Sequence, residues 1–220
     1  MGAERVAALA LLGLAACYVP TVPGEAPGYD PALASGELYR WTLGRTVAVY
    51  VDPTAQPAGT DLRAAAASAL GAWRGALHYR ELSLALTDDP RAADVVLHVA
   101  AAPRLVGTAG CTPPAGEPAG ATFFCRARLT AQQDTALTLP LLAGGGGRVK
   151  VDVLVDPAQI PSAGGLPALV AHELGHALGI GAHSPDASDL MYAAPAAARP
   201  SARDAATLRW LLHQGVDLRL

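Results

Sequence analysis

Charge is scarce in this chain. Asp, Glu, Lys and Arg make up 16% of its 220 residues, against roughly a quarter in ordinary soluble domains. That argues against a disordered, charge-rich chain. The formal net charge is only -3, and no basic stripe of the kind that binds nucleic acid is present. Aromatics are few, at 5%, so a core has to be built from Leu, Val and Ala. Internal repeats are missing, which excludes a solenoid or propeller. No loop has the oxygen-ligand spacing of an EF-hand. Asp52, Asp152 and Asp156 therefore read as turn and strand-end carboxylates, and a structural Ca2+ is left without support. Long apolar runs are also lacking. The one candidate, Val6 to Ala16, is well short of the ~20 residues that span a bilayer.

That run is instead the length of a signal-peptide core, with Arg5 as its positive flank. It ends in Leu14-Ala15-Ala16-Cys17. Here the chain resembles a bacterial lipoprotein precursor, which implies cleavage after residue 16 and lipidation of Cys17. The alternative is an ordinary signal peptide and a secreted product. On either reading the protein is exported, and the lipid at Cys17 would be its one attachment to the cell envelope. Residues 17–40 are rich in Pro and Gly (Pro20, Pro23, Gly24, Pro27, Gly28, Pro31) and read as a tether. The folded domain is expected over 41–220, a size that suits one core. With Cys17 set aside, Cys111 and Cys125 remain. In an oxidising compartment such a pair most simply forms a disulfide, worth about 3 kcal/mol in the chain-entropy model. The rival is a Cys metal site, which needs more sulfur or a nearer His than this segment offers.

The domain reads as an α+β plan. Val47 to Val51, Leu82 to Thr87 and Asp94 to Ala100 read as strands, and Val149 to Val155 alternates over its length. Ala121 to Leu129 reads as an edge strand. Leu62, Ala66, Ala69, Leu70, Trp73 and Leu77 recur at helical spacing and predict a helix over 61–78, capped by Thr60 or Asp61. Two more helices are expected, over 166–178 and from Ser201 to about His213. The sum is a mixed twisted sheet backed by helices, with a small C-terminal part.

The stretch that carries chemistry is His172-Glu173-Leu174-Gly175-His176. Two His four apart on a helix share a face, one turn apart. Their nitrogens can then reach one Zn2+ at about 2.0–2.1 Å. Glu173 is displaced around the helix, where it can act on a water at the metal without ligating. The pattern is the zincin motif. Gly179 is placed to end the helix, and the turn that follows can carry His183 back to the metal. Asp189-Leu190-Met191-Tyr192 comes shortly after.

On these residues the chain resembles the metzincins, and among them the matrixin-like peptidases. The match covers His172, Glu173, His176, Gly179, His183 and Met191. The resemblance implies a zincin-like catalytic domain with a backing helix, an active-site helix, and a C-terminal subdomain holding a Met-turn and a closing helix. It implies one catalytic Zn2+ on His172, His176 and His183, Glu173 as general base, and Met191 as an apolar floor that does not ligate. It implies a polypeptide substrate added antiparallel to an edge strand within residues 121–142. One feature departs from the usual spacing. The third His is expected three residues after the Gly, at Ala182, and here comes one later. The extra residue is expected to be absorbed at Gly181. The alternative for His183 is a solvated loop side chain, with Asp186 or water completing the site. A Glu ligand is excluded, since no Glu follows Glu173. Tyr192 directly follows Met191 and is not assigned to zinc. His78, His98 and His213 read as structural.

The expected function is a zinc-dependent endopeptidase, most simply a monomer. The competing expectation is an inactive zinc-binding envelope lipoprotein that binds a protein partner. Retention of Glu173 argues against it.

Overall fold

A computed structural model describes residues 25–32, 38–53, 61–78, 81–90, 92–99, 122–124, 151–155, 165–215 and 218–219. The apolar run 1–16, Cys17, Cys111, Cys125 and the glycine run 144–147 lie outside the described residues. In chain order the elements are β1 (Tyr39–Arg40), β2 (Arg45–Val51), α1 (Leu62–Ala76), β3 (Leu82–Thr87), β4 (Val95–Val99), β5 (Thr122–Phe124), β6 (Val151–Val155), α2 (Gly165–Leu178), α3 (Ala202–Leu212) and β7 (Leu218–Arg219).

The architecture is mixed α/β. Five strands form one sheet in the order β3-β2-β4-β6-β5. The pairs β2–β3, β2–β4 and β4–β6 are parallel, and β5 lies antiparallel on β6 at the edge. Parallel neighbours cannot be joined by a hairpin, so α1 carries the chain from β2 to β3. Val47, Val49 and Val51 of β2 are buried while Ala48 and Tyr50 are less so, the alternation a half-covered strand requires. Asp94 starts β4. Its carboxylate takes the Arg45 guanidinium at 2.6 Å and the Ala48 amide at 2.9 Å, tying the strand to β2. A separate two-stranded parallel pair joins β1 to β7.

Helix α1 begins at Asp61, whose side chain accepts from the Ala64 amide. Its buried positions are Leu62, Ala65, Ala66, Ala69, Leu70, Trp73 and Ala76, one stripe at helical spacing. It packs along α2, which contributes Ala168, Ala171, Gly175 and Ala177 among its buried residues. Small side chains on both helices let the two axes approach closely. Among the described residues no helix is long and apolar enough to cross a membrane.

The domain begins earlier than expected. Tyr39 is fully buried in the core, and Tyr29 packs against it. Residues 25–32 lie along α3. Gly28 donates to Thr207 Oγ1 at 2.9 Å, the Tyr29 hydroxyl to Asp204 at 2.7 Å, and Glu25 pairs with Arg209. The Pro and Gly content that suggested a tether has another use here. A Cβ on Gly28 would meet the backbone of Arg203, with its Cα at 2.8 Å, so Gly is what lets this segment lie flat on the helix.

Candidate metal centre

Helix α2 carries His172, Glu173 and His176 and is pinned by the chain's scarce aromatics. The Trp73 indole donates to Ala171 O at 2.7 Å, the Trp41 indole to Ala177 O at 2.8 Å, and the Tyr39 hydroxyl to His176 O. The last two carbonyls lie in the final turn, where intrahelical donors run short. The helix ends at Gly179, whose φ of 133° is open to glycine and costly for other residues. A side chain there would also strike Tyr39 O, 2.9 Å from an ideal Cβ.

Three imidazoles converge beyond that turn. His172 Nε2 and His176 Nε2 are 3.2 Å apart, and His176 Nε2 and His183 Nε2 are 3.3 Å apart. The ligand atoms of all three lie within 4.8 Å of one another, and no other such group occurs among the described residues. His172 is buried, His176 partly buried and His183 exposed.

Protons decide what this cluster is. His172 Nδ1 is 2.8 Å from Leu190 O, and His176 Nδ1 is 2.6 Å from Ile180 O. A carbonyl only accepts, so both Nδ1 atoms carry the hydrogen. In a neutral ring that leaves Nε2 as a bare lone pair. Burial keeps the rings neutral: it pushes His172 down to about 4. It also holds His176 well below its ordinary value, and the neighbouring His172 adds to that. Two bare lone pairs 3.2 Å apart cannot bond each other and repel unless a cation lies between. Tetrahedral ligands at 2.0–2.1 Å from zinc stand about 3.3–3.4 Å apart, and the separations on either side of His176 Nε2 fit that value. The three residues thus fit a metal ion, and the Nδ1–carbonyl bonds are the outer contacts that orient such ligands.

Met191 is fully buried. It packs on Gly175, where a Cβ would run into Met191 Sδ and come within 2.7 Å of Trp73 Cζ2. The loop from His183 to Met191 closes on itself. Ser184 donates its amide to Met191 O at 2.8 Å, and its hydroxyl bonds Asp189. Asp204, fully buried at the start of α3, holds this loop from below. Its carboxylate accepts from Leu190 N at 2.9 Å, Met191 N at 3.4 Å, Ser201 N at 2.8 Å and the Tyr29 hydroxyl. Since Leu190 O in turn orients His172, Asp204 lies one residue removed from the first histidine.

The expected residues divide clearly. His172, His176 and His183 are brought together, Met191 is buried against Gly175 of the same helix, and Glu173 is buried beside His172. Asp186 is turned away. Its carboxylate takes the Ser188 amide and hydroxyl and the Arg203 guanidinium, and the Ser188 bonds hold its pKa below the usual range. Asp189 is occupied by Ser184 and Arg203. His213 bonds the buried Glu81 at 3.0 Å. The extra residue of the ligand loop was expected to be absorbed at Gly181. The left-handed turn is at Gly179 alone in this loop, and the Gly181 amide donates to Pro31 O at 2.7 Å. The sequence pattern had left Asp204, Tyr39 and Trp41 unassigned. Asp204 had one local signal, the Ser201-x-x-Asp204 spacing of a capping box, which is formed.

No model of a known protein family matches the chain, and no curated protein matches it.

Proposed function

We propose that the protein is a zinc-dependent endopeptidase of the metzincin kind. The observation that carries this is the convergence of three Nε2 atoms, two of them stripped of any proton by backbone carbonyls. His172, His176 and His183 would hold the metal. Zn2+ bound there supplies Lewis acidity, polarising a scissile carbonyl and lowering the pKa of water towards about 7. Three protein ligands on a four-coordinate ion leave one position for chemistry.

The chain's own groups account for the rest. Glu173 is buried on the same helix, next to a ligand, and serves as the base that takes a proton from the attacking water and returns it to the leaving amine. Met191 and Trp73 close the underside of α2 against solvent. Strand β5 lies at the sheet edge, and an extended peptide would add there by main-chain hydrogen bonds. Export through residues 1–16 and lipidation at Cys17 complete the proposal. Seven residues lie between Cys17 and Glu25, and the eight steps at full extension reach under about 30 Å, so the enzyme would work close to its membrane. Mass spectrometry of the mature protein should find an acylated Cys17 at the N-terminus, and an unmodified or internal Cys17 refutes the anchor.

The test of the activity is zinc quantification with peptide-library cleavage, with and without chelator, beside Glu173→Ala. One zinc per chain, chelator-sensitive cleavage, and a Glu173→Ala form that keeps zinc but loses turnover are expected. Stoichiometric zinc with no cleavage would favour the partner-binding alternative. Turnover by zinc-loaded Glu173→Ala would overturn the role of Glu173.

A further inference from the structure

The ligand loop is one residue longer than the usual spacing, and a longer loop needs something to hold it. Within the loop, Gly179 N returns to His176 O at 3.0 Å and Ile180 N to Gly175 O at 3.1 Å. The next amide, Gly181 N, turns outward and donates to Pro31 O, 2.7 Å away and 150 residues earlier in the chain. Gly181 lies two residues before His183 and directly after Ile180, whose carbonyl orients His176. Pro31 is buried, and the segment that carries it is clamped upstream at three points. Glu25 pairs with Arg209, Gly28 with Thr207, and Tyr29 with Asp204.

We infer that residues 25–32 form a positioning strap for the metal centre, holding the lengthened loop so that His183 faces the other two histidines. This rests on the zinc site proposed above. Without the strap, the loop between Gly179 and His183 has a free amide and an extra residue of slack. His183 is the most exposed of the three histidines, so it has the least packing of its own to fix it. The strap also touches the site a second way. Tyr29 bonds Asp204, Asp204 bonds Leu190 N, and Leu190 O bonds His172. None of these strap residues contributes a metal ligand, so its role is positioning.

The strap can be lifted without altering any site residue. Gly28→Ala places a Cβ against the Arg203 backbone, and Glu25→Gln weakens the distal ion pair, a milder change that keeps the test alive if Gly28→Ala folds poorly. Two measurements on the full chain are needed. The first is hydrogen exchange of the Gly181 amide in metal-free protein. The expected result is faster exchange in Gly28→Ala and, to a smaller degree, in Glu25→Gln. Unchanged Gly181 protection in both variants overturns the inference. The second is the zinc dissociation constant by chelator competition, in wild-type and His183→Ala backgrounds. Loss of an orienting contact commonly weakens a metal by about 10–100-fold, and Gly28→Ala should do so in the wild-type background. In the His183→Ala background the further loss should be clearly smaller, because the contact through Gly181 acts on the ligand already removed and only the Tyr29–Asp204–Leu190 path to His172 is left. An equal loss in both backgrounds means that the strap only stabilises the fold, and refutes the inference. A wild type that binds zinc but cleaves no peptide counts against the peptidase and leaves the strap result intact. If the wild type takes no zinc, the metal reading fails and the exchange measurement still decides whether the strap holds the loop.

Discussion

Acidifying the metal-free protein should destabilise it across an unusual pH window. Burial holds His172 neutral down to about 4 in the folded chain, whereas an exposed imidazole in the unfolded chain takes its proton near 6.5. The folded pKa is therefore the lower one. Between these two values the unfolded chain binds a proton that the folded chain refuses, so stability is full above about 6.5 and falls as pH drops towards 4. The difference corresponds to about 3 kcal/mol for His172, a large part of the 5–15 kcal/mol that holds a typical domain. His176 acts in the same direction, its pKa also lowered chiefly by burial. Carboxylates held below their usual range, such as Glu25 beside Arg209, lose their contribution only at lower pH, so the interval from 6.5 to 5 isolates the histidines. The assay is urea unfolding of chelator-treated protein at several pH values, beside His172→Gln, with stability extrapolated to water. The wild-type curve should slope downward with acid by more than that of the variant. Parallel curves, or a wild type equally stable at pH 7 and pH 4.5, would refute the argument that the imidazole is buried neutral with its Nδ1 proton on Leu190 O. Adding zinc should raise the whole curve, by about 4 kcal/mol at a thousand times its Kd for a ligand that binds only the folded form, without flattening the slope, because liganded imidazoles also refuse the proton.

Two substitutions test the scaffold. Asp204→Ala leaves Leu190 N, Ser201 N and the Tyr29 hydroxyl without their acceptor. At roughly 1–3 kcal/mol for each buried unsatisfied group, and short of additivity, the expected loss is about 3–5 kcal/mol by urea unfolding; a loss below about 1 kcal/mol would show that these donors find other partners. Gly175→Ala pits a helix-propensity gain of about 1 kcal/mol against an overpacking cost of about 1–3 kcal/mol, because the new Cβ meets Met191 and Trp73. A net loss is expected in thermal melts, with weaker zinc binding as Met191 shifts, and a variant more stable than wild type would contradict the close packing of α2 on its floor.

The elements were largely legible because each is coded by local periodicity. The stripe from Leu62 to Trp73 yields α1, the run Leu82 to Thr87 is β3 residue for residue, and Ser201 caps α3. The expectation of a tether over residues 17–40 did not foresee that residues 25–32 and 38–40 pack on the fold, and the reason is physical. Pro and Gly exclude helix and strand locally, but they do not say whether an extended segment is solvated or pressed onto a helix 170 residues away. The low aromatic count implied only that the core rests on Leu, Val and Ala. In the fold, Tyr39, Trp41 and Trp73 each spend a polar hydrogen on a carbonyl of α2, a use that composition does not reveal.

The site divides along the same line. By itself the sequence determined that His172 and His176 share a face with Glu173 beside them, because a helix of 3.6 residues per turn allows no other arrangement of that spacing. It also placed a stop at Gly179, where only glycine is at ease with the backbone. Tertiary structure alone decided which nitrogens are bare, since the tautomers depend on Leu190 O and Ile180 O. It also decided that His183 completes the cluster and Asp186 does not. That choice lies in a loop whose path is set by Pro31, Asp204 and Arg203, contacts between residues far apart in the chain that no local pattern encodes.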